Sequence, residues 1–247
     1  MQSKILIFSI AQNGYEFTYS KCIKSQQLYA SKNSYEYVLV NRPSWVHSPK
    51  ESAWLKIPLI VKGLNRGYEW VVFIDADGEI RPQTPRIESI EVPEKSIYLV
   101  HGHSGRINSG VIIVKNTADA KEFFEQILNT IEIDVPEEDK APYENGHIIH
   151  HAKKSRHVQI LDQRWNNTDN ANLNDFVRHY TGPMSQYYKK PTFSQLKVRI
   201  FRFQMKVNMQ IAKLSGFYSK PHDSLKYRLE KLVQHCQNNF SVFMSAD

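Results

Sequence analysis

Cysteine is scarce in this sequence, with only Cys22 and Cys236 among 247 residues. Two distant cysteines give neither a metal-ligand spacing nor a disulfide framework. Long apolar runs are missing as well. The first apolar stretch, within residues 4–9 (KILIFS), is too short for a signal-peptide core or a membrane span. We therefore expect a cytoplasmic protein.

Most of the chain has no excess of positive or negative charge, because the net charge of +7 is concentrated at one end. From residue 194 onward there are nine basic and three acidic residues, which leaves the preceding part nearly neutral. Such a basic tail predicts an anionic partner, either a membrane surface or a nucleic acid. Hydrophobic residues make up 41% of the chain, enough for the core of one large domain.

Residues 69–80 (EWVVFIDADGEI) form the most informative stretch. The apolar run 71–74 predicts a strand that is buried on both faces, as in a parallel sheet. Asp75 and Asp77 follow it, and two such close carboxylates repel each other unless a cation lies between them. A hard divalent cation suits oxygen ligands and commonly also holds phosphate oxygens. The alternative is an ordinary polar turn, since Asp and Gly favour turns by themselves.

A second distinctive stretch is residues 106–115 (RINSGVIIVK). We expect Asn108, Ser109 and Gly110 to form a turn that precedes a buried strand at 111–114. Glycine at the entrance of a strand lets the backbone approach a ligand closely. Asn108 offers a hydrogen-bond donor and an acceptor, so Asn108 and Ser109 are candidate ligand-binding residues.

The third stretch, residues 176–183 (FVRHYTGP), predicts a short strand that ends at His179. A lone histidine is usually structural. At a strand end, before a glycine turn and a lysine pair, His179 is instead a candidate third metal ligand. Gly182 and Lys189 are then candidate phosphate-binding neighbours.

Two further residues are candidates for contacts with a nucleotide. Tyr15 lies in a predicted loop after the first strand and could stack on a base or be an ordinary half-buried tyrosine. Lys56 lies in a helical pattern at 52–64 and could reach a phosphate or extend along the surface. Pro58 falls inside that pattern, so we expect a kink or a late helix start.

Periodicity and breakers suggest a chain of alternating strands and helices. A helix at 20–31 is expected to turn Cys22, Ile23 and Leu28 inward. His147 and His151 are spaced as a metal pair on a later helix, but no third ligand stands at a suitable spacing. The remaining predicted strands are residues 35–40, 97–101 and 157–161. The remaining predicted helices are residues 118–129 and a segment that begins at residue 144.

Taken in order, IDAD, INSGVIIVKN and HYTG resemble the motifs of GT-A glycosyltransferases, over roughly residues 4–190. The resemblance is greatest to the galactosyl/mannosyltransferase family of yeast Golgi enzymes and plant xyloglucan xylosyltransferases. AWLKIP, Glu144-Asn145, QRWNN and DFVRHYTG support it. It implies an α/β, Rossmann-like fold with a mixed, mostly parallel sheet flanked by helices. We expect a catalytic domain at 1–191 and a basic helical extension at 192–247.

The resemblance also implies roles for the candidate residues. Asp75 and Asp77 would hold Mn²⁺ or Mg²⁺, with His179 completing the protein ligands. Lys56 and Asn108 match residues near the diphosphate and the donor sugar, and Glu144-Asn145 match a catalytic pair. The family carries Gln where this chain has Asn145, which shortens the amide. The candidate nucleotide-sugar contacts are Tyr15, Lys56, Asp75, Ser109, Gly182 and Lys189.

The implied activity is metal-dependent transfer of a galactose-like hexose from a UDP-linked donor to a glycan or glycolipid, with retention and an α-linked product. One alternative is a nucleic-acid-binding protein or metal nuclease that uses the basic tail. That alternative leaves the Asn108-Ser109-Gly110 and QRWNN motifs without a role, so we expect no specific nucleic acid partner. A catalytically silent GT-A-like binding module is the other alternative.

The tail allows two interpretations. Residues 194–216 lack internal glycine and proline, and their length favours a helix over a strand. A second helix is expected at 223–236. Basic residues interleaved with apolar ones suit helices lying on anionic lipid, peripheral to the inner face of a membrane. Helices packed on the catalytic domain are the alternative. The lipid interpretation predicts that the full chain binds anionic vesicles and that a chain ending near Pro191 does not, and equal binding by both would contradict it.

Overall fold

The computed structural model describes residues 4–45, 48–214 and 223–244. Its centre is a six-stranded sheet with the strand order β2-β1-β3-β6-β5-β7. The strands of this sheet are β1 (Ile5–Ile10), β2 (Glu36–Val40), β3 (Trp70–Ile74), β5 (Ile97–His101), β6 (Ile107–Lys115) and β7 (Val158–Leu161). A separate two-stranded sheet consists of β4 (Gly78–Ile80) and β8 (Val177–His179).

The main sheet is mixed and mostly parallel, as predicted. β1 runs parallel to β2 and β3, and β5 runs parallel to β7. β6 lies between β3 and β5 and runs antiparallel to both. β1 and β3 are almost completely buried, which accounts for the apolar sequence of β3 and for that of β1 apart from Ser9.

Helices cover both faces of the sheet. The helices are α1 (Tyr15–Thr18), α2 (Ser20–Lys32), α3 (Pro49–Trp54), α4 (Lys56–Asn65), α5 (Ala118–Asn129), α6 (Asn145–Ala152), α7 (Ser194–Leu214) and α8 (Leu225–Asn239). Successive residues of β1 point to opposite faces, so Leu6 and Phe8 join one core cluster while Ile5 and Ile7 join the other. The first cluster packs against α4, α5 and α8, and the second packs against α2.

The break between α3 and α4 confirms the late helix start that Pro58 predicts. Proline has no backbone N–H, so it cannot donate to the carbonyl four residues earlier, and it is tolerated only in the first turn of a helix. α3 ends at Trp54, and α4 begins at Lys56. α3 itself begins with a capping box, in which Ser48 and Glu51 satisfy each other's backbone N–H groups.

The small sheet brings the third distinctive stretch of the sequence, which contains HYTG, beside Asp75 and Asp77. β4 and β8 are antiparallel, and Gly78 stands opposite His179. A side chain at Gly78 would come within 2.7 Å of Ile74, so only glycine fits where the chain turns from β3 into β4. The strand ending at His179 is confirmed, whereas β4 was not expected from the sequence.

Two local predictions are wrong. Asn108, Ser109 and Gly110 do not form a turn, because β6 begins at Ile107 and pairs Asn108 with β5. Leu28 is not turned inward on α2, since 60% of its surface is exposed. The inner face of α2 carries the polar Gln26 instead, which donates hydrogen bonds to the carbonyl oxygens of Asp75 and Gly78.

The two C-terminal helices differ in how they pack. Leu229, Leu232 and Cys236 of α8 belong to the same buried cluster as β1 and β3. α7 contacts α1 along one face and exposes the opposite face. Packing on the domain is therefore the arrangement of α8. The helix predicted at 194–216 is confirmed to Leu214, residues 215 and 216 lie outside the described part, and the division at residue 191 stays a prediction.

The described helices include none that is both long enough and apolar enough to cross a membrane.

Candidate metal centre and adjacent cleft

Asp75, Asp77 and His179 converge at the end of β3. Asp75 and Asp77 directly follow that strand, and β8 brings His179 to them from more than a hundred residues further along the chain. His179 Nε2 lies 3.1 Å from Asp77 Oδ1 and 3.6 Å from Asp75 Oδ2. One ligand atom from each residue lies within 4.8 Å of the others, and among the described residues this is the group spaced to hold a metal ion.

A buried asparagine orients the imidazole of His179. His179 Nδ1 lies 2.9 Å from Asn166 Oδ1, and a carbonyl oxygen only accepts, so the proton sits on Nδ1. In the neutral ring this leaves the lone pair of Nε2 facing the carboxylates. Asn166 is held in turn by Asn108, because its Nδ2 donates to Asn108 Oδ1 over 2.9 Å.

Sequence analysis missed this role of Asn166. The residue lies in the QRWNN motif, but a polar residue after a strand carries no sign of its distant partner. The signal exists only in three dimensions, where Asn166 is fully buried between His179 and Asn108.

Gly110 makes room for the imidazole. A Cβ atom at this position would lie 2.1 Å from His179 Cε1 and 2.5 Å from Nδ1. Any other residue would therefore push the ring away from the aspartates. The backbone of Gly110 also anchors the site, since its carbonyl oxygen accepts a hydrogen bond of 2.8 Å from Asp75 N.

The three residues compensate one another electrostatically. Burial raises the pKa of Asp75, and Lys56 and His179 offset this only in part. Burial acts in the same direction on Asp77, but the charge of His179 and its hydrogen bond prevail and lower the pKa of Asp77. Burial would lower the pKa of His179, yet Asp77 and Asp75 outweigh it and raise that pKa. The site thus favours a positive charge between the carboxylates.

These residues fit a divalent cation. Two carboxylates and one neutral imidazole nitrogen form a donor set that Mn²⁺ and Mg²⁺ accept. The space that Gly110 leaves open and the hydrogen bond from Asn166 hold the imidazole in the orientation that a ligand needs.

Lys56 lies between Asp75 and Glu144 and forms an ion pair with each. Its Nζ lies 2.8 Å from Glu144 Oε1 and 3.6 Å from Asp75 Oδ1, with only 4% of the residue exposed. Ser109 Oγ donates to the same Glu144 oxygen over 2.7 Å. Because Lys56 is buried, its charge acts first on these two carboxylates. The other oxygen of Glu144, Oε2, is buried without a hydrogen-bond partner.

Asn145 uses both ends of its amide on the backbone of β6. Its Oδ1 accepts from Ser109 N over 3.0 Å, and its Nδ2 donates to Ile107 O over 3.0 Å. In this arrangement Asn145 fixes the strand that carries Asn108 and Ser109. The catalytic role that the sequence resemblance implies for Asn145 stays a prediction.

A cleft of about 780 Å³ opens beside the metal ligands. Most of the candidate residues from the sequence line it, namely Tyr15, Lys56, Asp75, Asp77, Asn108, Ser109, Glu144, Asn145 and His179. Arg202 of α7 also lines the cleft. Such a volume accommodates a ligand of the size of a sugar nucleotide.

Gly182 and Lys189 do not line this cleft. Gly182 has a left-handed φ of 47° and lies against His103, where a Cβ would come within 2.9 Å of the imidazole. Lys189 is exposed. Their contacts with a nucleotide stay predictions.

Tyr15 stands half exposed at the cleft, at the start of a row of aromatic rings. Its ring centroid lies 5.4 Å from that of Tyr19, which lies 5.0 Å from that of Tyr188. Burial raises the pKa of Tyr15, and the charges of Asp77 and Asp75 raise it further. The ring lines the cleft, and its stacking on a base stays a prediction.

The histidines near α6 have structural partners. His147 Nε2 lies 3.0 Å from the carbonyl oxygens of Thr130 and Ile133. His151 Nε2 lies 3.0 Å from Thr130 Oγ1. These contacts account for both members of the candidate metal pair without a metal.

Comparison with known proteins identifies the fold. A scan against protein-family models gives no match, and a search of curated proteins gives none either. Among solved structures, a glycosyltransferase involved in the glycosylation of the major capsid of PBCV-1 aligns with a TM-score of 0.58. It is 17% identical, and the alignment covers 74% of this chain and 96% of that one. This chain has the GT-A glycosyltransferase fold.

A second GT-A neighbour is the glycosyltransferase GlyE of Streptococcus pneumoniae TIGR4. It aligns with a TM-score of 0.52 at 11% identity, over 84% of this chain and 64% of the GlyE chain. At such low identities the similarity establishes the fold, and an activity has to be argued from the site. The narrower resemblance to yeast Golgi and plant enzymes stays a prediction.

Proposed function

We propose that this protein is a metal-dependent, retaining glycosyltransferase. It would move a galactose-like hexose from a nucleotide-diphosphate donor, with UDP as the nucleotide, to a glycan or glycolipid acceptor and form an α-linkage. One observation carries the proposal: Asp75, Asp77 and His179 converge beside a cleft of about 780 Å³ in a GT-A fold.

The reaction requires stabilisation of negative charge on the departing nucleoside diphosphate while the sugar becomes oxocarbenium-like. Asp75, Asp77 and His179 would hold a Mn²⁺ or Mg²⁺ ion, which would supply positive charge near that diphosphate. Lys56 neutralises the carboxylates of Asp75 and Glu144, whose repulsion would otherwise oppose an anionic donor. Asn166 keeps Nε2 of His179 available by holding the proton on Nδ1.

The other cleft residues would position the donor. Tyr15 lines the cleft and would stack on the base. Asn108 and Ser109 lie on β6, the strand beside β3, which leads to the metal ligands. Asn145 and Glu144 hold this strand by accepting hydrogen bonds from Ser109. The resemblance noted in the sequence supports retention and a UDP-hexose donor. The PBCV-1 neighbour, which acts in the glycosylation of a capsid, supports a glycan acceptor.

A screen of UDP- and GDP-sugars for slow, Mn²⁺-dependent hydrolysis tests the proposal. We expect at least one UDP-hexose to be hydrolysed by the wild-type protein and Asp77→Ala to abolish the activity. Asp134→Ala is the matched control, because Asp134 is an exposed aspartate outside the metal group. Hydrolysis that survives in Asp77→Ala would place the metal elsewhere.

The same screen separates the alternatives. A nucleic-acid-binding protein or metal nuclease would hydrolyse none of the sugar nucleotides and bind no UDP. A catalytically silent GT-A-like module would bind UDP with Mn²⁺ but leave every donor intact.

A further inference from the structure

The outer face of α7 exposes a row of large apolar side chains. Leu196, Ile200 and Phe203 have 56%, 60% and 71% of their surface exposed. Five exposed residues at helical spacing form this row, and we call them the outer stripe: Leu196, Ile200, Phe203, Val207 and Ile211. Soluble proteins expose single apolar residues, but a continuous row of this kind indicates an interaction surface.

The opposite face of α7 holds the helix on the domain. Val198 lies against Gly14, and the ring of Phe201 lies 5.3 Å from that of Phe17 on α1. Met205 is buried on the same face, and Asn208 Nδ2 donates to Ser44 O over 3.0 Å. With 100° per residue, the outer stripe falls on the side of the helix that faces away from these contacts.

Charge distinguishes the kinds of partner that this surface fits. The 21 residues of α7, SQLKVRIFRFQMKVNMQIAKL, contain five basic residues and no acidic one. Arg199, Arg202 and Lys206 lie along one flank of the outer stripe and are exposed. The α7 of a second copy would offer these basic residues no acidic partner, so a second copy is disfavoured. An apolar stripe beside a basic flank instead matches the boundary between acyl chains and anionic headgroups.

We propose that the outer stripe of α7 docks on an anionic lipid bilayer. The helix, about 31 Å long at 1.5 Å per residue, lies flat on the bilayer with its apolar side chains at the acyl boundary. Its basic flank then meets the lipid phosphates. Arg202 belongs to this flank and also lines the cleft, so the cleft opens next to the bilayer surface.

Truncation at Pro191 is a poor test of this surface, because it also removes the α8 residues that fill the core. Point variants of the full chain avoid the problem. The probe is co-sedimentation with vesicles of phosphatidylglycerol and phosphatidylcholine, compared with vesicles of phosphatidylcholine alone. We expect the wild-type protein to bind the anionic vesicles, and to bind them less as salt is added.

The double variant Ile200→Gln/Phe203→Gln should weaken vesicle binding by at least about tenfold. Leu28→Gln/Ile133→Gln is the matched control, since these residues are 60% and 62% exposed on other surfaces of the molecule. The control should bind as the wild-type protein does. Equal binding by the Ile200/Phe203 variant and the control would overturn the proposal.

A charge variant tests the basic flank separately. Arg199→Gln/Lys206→Gln should weaken binding to anionic vesicles, while Lys24→Gln/Lys32→Gln, on the exposed surface of α2, should not. Vesicle binding needs neither donor nor metal, so its outcome does not depend on the proposed activity. The wild-type protein could instead self-associate and bind no vesicles, with the self-association lost in Ile200→Gln/Phe203→Gln. That result would assign the outer stripe to a second copy and contradict a lipid partner.

Discussion

At the scale of single residues, the candidate metal site depends on two residues that are not ligands. Asn166 holds the proton of His179 on Nδ1, and Gly110 leaves the space that the ring occupies. Both act on the orientation of His179, and neither supplies a ligand atom to the metal group. Substituting them therefore tests the geometry without removing a ligand.

Gly110→Ala should displace His179, because the new Cβ would lie 2.1 Å from Cε1. We expect Mn²⁺-dependent UDP binding to fall by at least about tenfold, measured by calorimetric titration, with the fold retained. Gly63→Ala is the control, since its Cβ crowds Val71 in the core at 3.0 Å and lies away from the cleft. Unchanged binding in Gly110→Ala would show that His179 is not a ligand.

Asn166→Ala should remove the acceptor of the His179 Nδ1 proton and lower the metal affinity about 10- to 100-fold. Asn166→Asp keeps an acceptor oxygen at the same distance and should recover part of the affinity. Asn172→Ala, in the following exposed loop, serves as the control. Mn²⁺ titration followed by the paramagnetic resonance of the free ion measures all three, and equal affinities would contradict the assigned role.

At the scale of elements, α6 carries a pH-sensitive histidine. Burial, followed by the charges of His150, His147 and Lys154, lowers the pKa of His151 to about 4. The ordinary value of 6.5 applies to the unfolded chain. Between these values the unfolded state binds a proton that the folded state does not, so stability is lost as the pH falls through this window.

His151→Gln should reduce this loss, by an amount on the order of 1 kcal/mol between pH 7 and pH 5. Urea unfolding at a series of pH values provides the measurement. His101→Gln is the control, because His101 is exposed at the end of β5. If His151→Gln loses stability with falling pH as steeply as the wild-type protein, His151 does not titrate in this way.

The elements also show which structural signals the sequence contains. Continuous apolar runs predicted β3 and the buried part of β6, and the helix predicted at 118–129 matches α5 to the residue. β4 has only three residues and no apolar pattern of its own. Its pairing with β8, which brings His179 to Asp77, is a long-range contact, and the motif order could suggest it only through the family resemblance.

Leu28 shows why the buried face of a helix is harder to predict than the helix itself. α2 lies over β2 and β4, and the polar Gln26 is buried there because the carbonyl oxygens of Asp75 and Gly78 need a donor. Hydrophobicity alone assigned Leu28 to this face. Asn166 was overlooked for a related reason, since its hydrogen bonds to His179 and Asn108 join segments far apart in the sequence.

At the scale of the whole molecule, the C-terminal segment is part of the core. The ring of Phe243, in a 3₁₀ turn after α8, lies 5.4 Å from that of Phe8 in β1, and Phe243 is fully buried. Arg228 of α8 forms an ion pair of 2.8 Å with Glu51 of α3. The basic tail defined by composition thus contains one helix that completes the domain and one that presents an outer surface.

Phe243→Ala should lower the free energy of unfolding by about 3–5 kcal/mol, because it leaves a cavity against β1. Met244→Ala, at the next and exposed position, should change it by less than about 0.5 kcal/mol. Denaturant unfolding of both variants measures the two losses in the free energy of unfolding. Similar small losses in the two would mean that the segment after residue 191 is a separable extension.

The central claim is that one divalent cation joins Asp75, Asp77 and His179 to the diphosphate of a nucleotide in the neighbouring cleft. Calorimetric titration of UDP with and without Mn²⁺, in the wild-type protein and in Asp77→Ala, tests it most directly. We predict binding on the order of micromolar with Mn²⁺, binding at least about tenfold weaker without it, and no effect of Mn²⁺ in Asp77→Ala. Equal UDP affinity with and without Mn²⁺ in the wild-type protein, or no binding at all, would contradict the account.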